Sequence, residues 1–480
     1  EALVRSLCKT GQLERAMPIL LSPAFLDSAP SLDTYVCILK ACMHKKSLPH
    51  AKEVYEHVMC CKHIGLEGFL GDYMVVTLAK CGGAEDAWNV SRGLPRRTVF
   101  SWSAIISSYV DCGRFADALR LYQEMREERI TPNRYTLVSL VKACGNMHDL
   151  VQGKMLHDEA RSKGLASDPH LGSTLVSMYG KCGSITDAEA AFCMISKHDV
   201  VSWTSMLSAY VEQGACEKAL RLYRQMQEEM VAMKDLIYVV TLQACGLLVE
   251  KEEAHKIEEK RIKAVALLEL VNALHRDALR NGYGSELIVR NTLVSVYGKC
   301  GVISQAENVF CSMLVRDIIS WNAMLSIYSM QGHGKRALVL FCEMKEKLVM
   351  PDKSTFVSVL AACCHCGLLE EGHKYFKSMQ QDYGISPVLD HYVCMIDLFG
   401  RAGQLDMALE IVAKAPCCPN MFMWAAILGA CRKWGNVKLG RYVFDQILKF
   451  DETEIGAYIS MHNIYADAGM LDENMSEIDG

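Results

Sequence analysis

The sequence predicts an all-α protein, a right-handed α-solenoid superhelix of stacked helix-turn-helix repeats. The dipeptide Ser-Trp occurs at 101–102, 202–203 and 320–321, so its copies lie 101 and 118 residues apart. Each copy opens the same phrase, written VFSWSAIISSY, VVSWTSMLSAY and IISWNAMLSIY. A long internal period of this kind is typical of a solenoid built from stacked units. Apolar residues recur at helical spacing and no strand pattern is evident, which favours helices throughout.

The stretch 99–133 shows how one unit is built. Its first apolar stripe recurs as on one face of a helix and consists of Trp102, Ile105, Ile106 and Tyr109. Gly113 ends this helix, and a second stripe follows, made of Ala118, Leu119, Tyr122 and Met125. Thr131-Pro132-Asn133 ends the unit because proline cannot continue a helix interior. Neither helix can bury its stripe alone, so neighbouring units must stack.

Alignment on the glycines gives three types of unit in rotation. The first type has 35 residues and ends near Pro-Asn or Pro-Asp, and the third type has 31 residues and contains Tyr-Gly-Lys-Cys-Gly. The second type has a Lys-Ala-Cys motif and a later Leu-His. After a partial first-type unit at 1–31, the predicted units are 32–67, 68–98, 99–133, 134–168, 169–199, 200–234, 235–286, 287–317, 318–352, 353–388 and 389–420. Two divergent helical pairs follow at 421–454 and 455–480.

The unit 235–286 is longer than its counterparts by about 17 residues, and it accounts for the longer Ser-Trp interval. The surplus lies near 247–263 and is dense in Glu and Lys. A solvated helix extension, a surface loop, a partner site and an unspliced piece of the gene all fit this composition.

Composition narrows the class of protein further. Half of the residues are apolar, yet no run of eighteen apolar residues occurs, so no membrane span is implied. The net charge of −5 means that any nucleic-acid binding must come from a local face. The 22 cysteines fall in repeated columns, such as Cys144, Cys245 and Cys363, which indicates small buried residues in a reducing compartment.

Two short motifs are similar to parts of a zinc deaminase site. His157-Asp158-Glu159 has the H-x-E form, and Cys363-Cys364-His365-Cys366 contains a C-x-x-C. They lie about 200 residues apart, and His157 has a counterpart at His275 in another unit, so both belong to the repeat pattern. No phosphate loop and no nucleophile elbow is present. We therefore expect no catalytic residues, no metal and no cofactor.

The repeated motifs together resemble the pentatricopeptide repeat family, specifically the plant organellar subclass with alternating P, L and S repeats. They are VVSWTSMLSAYVEQG, ALRLYRQM, LVSMYGKCGSITDAE and HYVCMIDLFGRAGQLDMALEIV, and the resemblance covers essentially the whole chain. MWAAILGACRKWGNVKLGRYVFDQIL resembles the first E-type repeat of RNA-editing factors, and YISMHNIYADAG the start of the second. The nearest alternative, the tetratricopeptide repeat, lacks support because its WxxLGxxY pattern is absent.

In these terms, 1–31 is a partial P-type repeat, 32–420 is the P/L/S array, and 421–480 holds E-type repeats of which the second is incomplete. The resemblance implies a chain truncated before the family's DYW-type deaminase domain.

The resemblance also implies where RNA is read. In the family, the fifth and last residues of a repeat hydrogen-bond one base while an apolar second residue stacks on it. The pairs imply adenine for Ser103 with Asn133, guanine for Ser173 with Asp199, and uracil for Asn291 with Asp317 and for Asn322 with Asp352. Thr204 implies a purine, although its partner position holds Lys234. The stacking candidates are Phe100, Val201, Ile288 and Ile319.

Other positions imply no direct readout. Asp72 with Thr98 departs from the family pattern and receives no base. Second-type units carry valine at the fifth position, at Val36, Val138, Val239 and Val357, and valine offers no hydrogen bond. The alternative for each polar pair is a helix N-cap or turn, and for each stacking candidate an ordinary core position.

We expect a sequence-specific single-stranded RNA-binding protein, monomeric, not membrane-bound, and located in the mitochondrion or chloroplast. The E-type end favours a site-recognition factor for organellar C-to-U RNA editing that recruits a DYW-type deaminase and organellar editing-factor proteins in trans. Two alternatives stay open. One is an organellar RNA stability, splicing or translation factor without editing, and the other is a protein–protein interaction scaffold.

Overall fold

The chain consists of helical hairpins joined by short turns. A computed structural model describes residues 1–22, 25, 30–61, 68–251, 257–415 and 420–470, with the side chains of 257–264 excepted. Within this part of the chain, the elements with defined bounds are 27 α-helices, and no β-strand occurs. The predicted all-α repeat fold is therefore confirmed. The chain divides into two compact halves, Glu1–Met233 and Lys234–Gly480.

The first half contains fourteen of these helices. Their bounds are α1 Ala2–Lys9, α2 Leu13–Leu20, α3 Leu32–Lys45, α4 Leu48–Cys60, α5 Phe69–Lys80, α6 Ala84–Arg92, α7 Val99–Asp111, α8 Phe115–Glu127, α9 Arg134–Met147, α10 Leu150–Ser162, α11 Pro169–Lys181, α12 Ile185–Cys193, α13 Val200–Glu212 and α14 Cys216–Glu228. Each odd-numbered helix from α3 onward packs on the odd-numbered helix of the next hairpin within this half.

The second half contains the remaining helices. Their bounds are α15 Asp235–Lys251, α16 Ile257–Arg280, α17 Leu287–Lys299, α18 Ile303–Cys311, α19 Ile318–Met330, α20 Gly334–Glu346, α21 Lys353–Cys366, α22 Leu369–Gln381, α23 Leu389–Arg401, α24 Leu405–Lys414, α25 Met421–Trp434, α26 Val437–Leu448 and α27 Ile455–Asp467. Here too, the first helices of successive hairpins pack side by side. In both halves these first helices begin at the first or second residue of the predicted units.

The Ser-Trp phrase has a double structural role. Its serine is the third residue of a first helix and closes a capping box. The backbone N–H of Asp317 donates to Oγ of Ser320 at 3.2 Å, while Asp317 Oδ1 accepts from the backbone N–H of Ser320 at 2.9 Å. The tryptophan that follows is core, since Trp102 and Trp321 are both buried. The phrase recurs because the serine of each copy caps the start of a helix and the tryptophan packs in the core.

Glycines end the first helices as predicted. Gly113, Gly214 and Gly332 lie just beyond α7, α13 and α19, with φ of +75°, +65° and +77°. A left-handed residue at this place is the common way to end a helix, and glycine adopts it without a steric cost.

One predicted stripe is wrong by a single residue. Trp102, Ile105, Ile106 and Tyr109 are buried as expected. In α8, however, Leu121 is 1% exposed, whereas Leu119 is only half-buried. The stripe is therefore made of Ala118, Leu121, Tyr122 and Met125, which keeps the i, i+3, i+4, i+7 spacing.

The cysteine columns also divide into two kinds. Cys144, Cys245 and Cys363 are fully buried, and burial raises the pKa of the Cys144 and Cys363 thiols to about 12. The cysteines of the Lys-Cys-Gly motifs, Cys81 and Cys182 among them, are only half-buried because they lie at the helix C-cap.

The long unit is built from longer helices. Helix α15 has 17 residues and α16 has 24, against 14 and 13 for α9 and α10 of the unit at 134–168. Part of the surplus thus extends both helices of the hairpin. The rest of the predicted insert near 247–263 lies outside the described residues. It comprises residues 252–256 and side chains in the range 257–264.

Candidate nucleic-acid interface

The predicted reading positions lie at one end of the first helices. The fifth residue of a unit lies in the first turn or two of its first helix. In most units the last residue is the N-cap of the next first helix, as for Thr98, Asn133, Asp199, Asp317 and Asp352. Because neighbouring first helices pack side by side, the two positions face each other across the gap between hairpins.

Asn291 and Asp317 form the most enclosed pair. The amide Nδ2 of Asn291 donates to Oδ1 of Asp317 at 3.1 Å, and Asn291 is only 8% exposed. Burial by itself would raise the pKa of the Asp317 carboxyl. The hydrogen bonds from the backbone N–H of Ser320 and from Asn291, together with the nearby Ser320 hydroxyl, outweigh it, so this pKa lies below its ordinary value. Asp317 therefore stays a charged acceptor at neutral pH.

Asn322 and Asp352 repeat this arrangement in the next unit. Nδ2 of Asn322 donates to Oδ1 of Asp352 at 3.0 Å. Asp352 also accepts from the backbone N–H of Thr355 at 2.9 Å, and thereby caps α21. Both uracil-assigned pairs are thus joined in the same way.

Ser103 and Asn133 are joined more loosely. The hydroxyl of Ser103 lies 3.3 Å from Oδ1 of Asn133 and 2.5 Å from the backbone oxygen of Val99. Asn133 caps α9 by accepting from the backbone N–H of Thr136 at 3.0 Å. With its carbonyl committed to the cap, the Nδ2 group of Asn133 has no hydrogen-bond partner among the described residues.

The other two assigned pairs are not joined. Ser173 donates to the backbone oxygen of Pro169 at 2.6 Å, and Thr204 donates to that of Val200 at 2.6 Å. Asp199 caps α13 and is exposed, without a hydrogen bond to Ser173 among the described residues. Lys234 is exposed as well. These base assignments stay predictions.

A further joined pair occurs in a unit to which no base was assigned. The hydroxyl of Thr98 donates to Oδ2 of Asp72 at 2.7 Å. The other carboxylate oxygen of Asp72 is buried and has no partner in the described part of the chain. The side-chain contact of this pair therefore matches that of the joined assigned pairs, although its residue types do not.

The two interpretations of the pairs are compatible with each other. Asn133, Asp199, Asp317 and Asp352 are all helix N-caps, as the alternative interpretation predicts. Each aspartate caps through Oδ1, so Oδ2 stays available as an acceptor among the described contacts. One side chain can thus hold the helix end and still offer an atom to a base.

Sequence reasoning missed a third residue at three of the four joined pairs. It is the hydroxyl residue three positions after the N-cap, which contacts the fifth-position side chain of the preceding unit. The three examples are Thr136 on Ser103 at 2.7 Å, Ser320 on Asn291 at 2.7 Å and Thr355 on Asn322 at 2.6 Å. The signal was the Ser or Thr that recurs at this capping-box position.

The stacking candidates lie on the surface. Phe100, Val201, Ile288 and Ile319 are 67%, 56%, 50% and 60% exposed. They are therefore not core residues, which was the alternative. The same second position is occupied by further exposed apolar residues that sequence reasoning did not nominate, namely Phe69, Tyr135, Leu236 and Phe422. Stacking on a base stays a prediction for all of them.

The motifs that are similar to a deaminase site have structural roles. His157 Nδ1 lies 2.8 Å from the hydroxyl of Tyr179, and His275 makes the same contact with Tyr297 at 3.1 Å. The thiol of Cys364 donates to Asp397 at 2.9 Å. Among the described residues, no three His, Cys, Asp or Glu side chains cluster as metal ligands would. No helix in the described part of the chain combines the length and the apolarity that a bilayer requires.

The fold and this register define a class of protein, the helical-hairpin repeat in which several hairpins carry a variable polar pair at the same two positions. Sequence profiles of that class match this chain. The one described as PPR repeat family matches residues 97–146 and 316–365, and the one described as PPR repeat matches 201–231, 288–318, 354–383 and 390–414.

Similar proteins extend the match over the whole chain. Pentatricopeptide repeat-containing protein CRR2, chloroplastic, of Arabidopsis thaliana is 33% identical over 98% of this chain and 69% of its own length. The mitochondrial pentatricopeptide repeat-containing protein At2g03880 of the same plant is 33% identical over 97% of this chain and 70% of its own. The putative pentatricopeptide repeat-containing protein At3g23330, also of this plant, is 36% identical over 82% of this chain and 52% of its own length. The chain belongs to the pentatricopeptide repeat family.

Solved structures agree on the fold. The crystal structure of the pentatricopeptide repeat protein PPR10 from maize matches with a TM-score of 0.62 at 18% identity, over 99% of this chain and 72% of that one. PPR10 in complex with an 18-nt psaJ RNA element matches with a TM-score of 0.69 at 17% identity, over 98% of this chain and 71% of that one.

Proposed function

We propose that this chain binds single-stranded RNA by sequence and reads one base at each hairpin with an assigned polar pair, most strongly where that pair is joined. The recurrence of the pair in one register carries the proposal. Ser103 with Asn133, Asn291 with Asp317 and Asn322 with Asp352 make the same side-chain contact across adjacent hairpins. N-capping alone does not require a hydrogen-bonding partner at the fifth position, yet three of the five assigned pairs have one.

The chemistry of the paired groups fits a base edge. At the two Asn–Asp pairs, an amide N–H lies beside a charged carboxylate oxygen, which offers one donor and one acceptor. Uracil presents an acceptor, O4, next to a donor, N3–H. The exposed apolar residues one helical turn before each pair, such as Ile288 and Ile319, offer surfaces for stacking. The valines of the second-type units offer no polar group and serve as spacers.

With the N-terminus of the array toward the 5′ end, the proposed core reads A, any base, G, purine, any base, U, U. It corresponds to consecutive units from 99–133 to 318–352. A filter-binding titration of this RNA against a scrambled RNA of equal composition tests the proposal. A clear preference for the core is expected, and equal affinities would contradict sequence-specific binding.

We further propose that the biological role is recognition of a site for C-to-U editing in an organelle, with a DYW-type deaminase and editing factors acting in trans. The similarity of 421–480 to E-type repeats supports this role, as does the alternation of P, L and S units. Relatives named chloroplastic and mitochondrial support an organellar location without deciding between the two. In this role the chain contributes affinity and register as a monomer and breaks no bond.

A knockout distinguishes editing from the other RNA functions. Loss of one editing event with unchanged transcript levels is the expected result. Normal editing with altered transcript abundance or splicing would instead assign the chain to RNA stability, splicing or translation.

A further inference from the structure

We propose that the hydroxyl residue at the third position of a unit positions the base-reading pair of the unit before it wherever it contacts the fifth residue of that pair. Ser320 would do so for Asn291 with Asp317, and Thr355 for Asn322 with Asp352. The base preference of one hairpin would then depend on a residue of its C-terminal neighbour. The inference rests on the proposed RNA binding and specifies how the reading side chain is held.

Ser320 contacts both members of the pair that precedes it. Its hydroxyl lies 2.7 Å from Oδ1 of Asn291 and 2.8 Å from Oδ1 of Asp317, and it accepts from the backbone N–H of Asp317 at 3.2 Å. Ser320 is fully buried. The hydroxyl thus contacts both residues of the pair, although Ser320 belongs to the hairpin that follows that of Asn291.

Thr355 repeats these contacts one unit further on. Its hydroxyl lies 2.6 Å from Oδ1 of Asn322 and 3.0 Å from Oδ1 of Asp352, and it accepts from the backbone N–H of Asp352 at 3.1 Å. Thr355 is also fully buried. In the other half of the chain, Thr136 lies 2.7 Å from the hydroxyl of Ser103 and 3.1 Å from Oδ1 of Asn133.

The consequence is a fixed orientation of the amide. An asparagine side chain can rotate to exchange its oxygen and nitrogen, and the hydrogen-bond network decides between the two. The hydroxyl of Ser320 donates to Oδ1 of Asn291, so the carbonyl faces the protein and Nδ2 lies on the side of Asp317. Asn291 is then held as a donor beside an acceptor.

This orientation matters for the choice between the two pyrimidines. Uracil has its acceptor O4 beside its donor N3–H, whereas cytosine has its donor N4–H₂ beside its acceptor N3. The order of donor and acceptor is therefore reversed between them. A freely rotating amide would accept either base, and a fixed one favours uracil.

The chain supplies its own control. Ser202 occupies the same third position, is equally buried, and closes the same capping box with Asp199. Its hydroxyl donates instead to the backbone oxygen of Asp199 at 2.8 Å, and no described contact joins it to Ser173. Ser202 therefore shares the capping role of Ser320 without touching a fifth-position residue.

The test compares Ser320→Ala with Ser202→Ala in the full chain. The measurement is the affinity for core RNAs that carry uracil or cytosine at the base assigned to 287–317, together with the thermal unfolding midpoint. Ser320→Ala should reduce the uracil-over-cytosine ratio about fivefold, as expected for the loss of one hydrogen bond. Ser202→Ala should leave this ratio unchanged while it lowers the midpoint to a similar extent. Ser320→Thr keeps the hydroxyl and should retain the uracil-over-cytosine ratio of the unaltered chain.

The outcomes separate the two proposals. If the unaltered chain does not distinguish the core from a scrambled RNA, the proposed function fails. If it does so and Ser320→Ala keeps the full uracil preference, only the positioning role is overturned. An equal loss in Ser202→Ala would likewise overturn it, because the effect would then come from weaker capping.

Discussion

The polar atom that the last residue of a unit leaves outside its helix cap determines whether the pair presents a hydrogen-bond donor or an acceptor to a ligand. Oδ1 of Asp317 and of Asp352 is used by the helix cap and by the asparagine, whereas Oδ2 is left available among the described contacts. At Asn133 the equivalent group is a donor, because the amide oxygen makes the cap. The last residue of a unit therefore presents an acceptor when it is aspartate and a donor when it is asparagine. This difference is physical support for the adenine and uracil assignments.

Replacing Asn322 with threonine tests the fifth position. Asn322→Thr removes the amide donor, and resemblance to the family implies a shift of the preferred base from uracil toward guanine. The change in discrimination should be about 1–3 kcal/mol, the range of a well-placed pair of hydrogen bonds to a base. Binding to RNAs with each base at this position measures it. An unchanged preference for uracil would mean that Asn322 does not read the base.

Replacing Asp317 separates reading from capping. Asp317→Asn keeps an oxygen for the cap of α19 but replaces the free acceptor with a donor, so stability should hold while the uracil preference falls. Asp317→Ala removes both and should lower the free energy of unfolding by about 1 kcal/mol, as for other lost N-caps. Thermal unfolding and RNA binding of the two variants give the comparison. A matching stability loss in both variants would contradict the division of roles between Oδ1 and Oδ2.

At the scale of elements, much of the structure follows from the repeated phrases. In the units with the Ser-Trp phrase, the first helices begin where the unit boundaries were placed because a capping residue precedes each phrase, a buried tryptophan lies within it and a glycine follows it. The extent of the insert could not be derived, since a Glu- and Lys-rich stretch suits an extended helix and a loop alike. The third residue of the pairs was missed because Ser320 lies in a constant phrase and was interpreted as scaffold. Ser173 matched the register but donates to its own helix.

Close packing of adjacent first helices explains the first glycine of the Tyr-Gly-Lys-Cys-Gly motif. A Cβ at Gly180 of α11 would lie 2.5 Å from Cβ and 3.0 Å from Cα of Ala209 in α13. Gly180→Ala should therefore destabilise the first half by about 1–3 kcal/mol, as overpacked cores do.

Gly429 provides the matched control, since it is exposed on α25 and a Cβ added to it would meet no atom within 4 Å. Gly429→Ala should be neutral or stabilising by up to about 1 kcal/mol, because alanine favours a helix. Denaturant unfolding of both variants tests the point. Equal effects of the two substitutions would show that close helix approach at Gly180 is not the cause.

For the whole molecule, half-buried histidines link stability to pH. Burial lowers the pKa of His157 and of His275, each of which bonds a tyrosine hydroxyl. Below the ordinary histidine pKa of about 6.5, the unfolded chain binds these protons more readily than the folded one, so stability falls as the pH falls. Lowering a histidine pKa by one whole unit corresponds to at most about 1.4 kcal/mol of this loss.

The His157→Gln, His275→Gln double variant should therefore lose less stability between pH 7 and pH 5 than the unaltered chain. Thermal unfolding midpoints at the two pH values provide the measurement. Buried His57 and His391, whose pKa values are also lowered, leave part of the dependence in place. An unchanged dependence in the double variant would contradict the role given to these two histidines.

Under the proposed function, hairpins with a joined pair read a base and hairpins with valine do not. This division is tested by measuring the affinity for the seven-base core with all four bases placed in turn at each position. We expect strong discrimination at the bases assigned to 99–133, 287–317 and 318–352, and little at those assigned to 134–168 and 235–286, where Val138 and Val239 occupy the fifth position. Discrimination spread evenly over all positions, or concentrated at the valine units, would contradict this mode of reading.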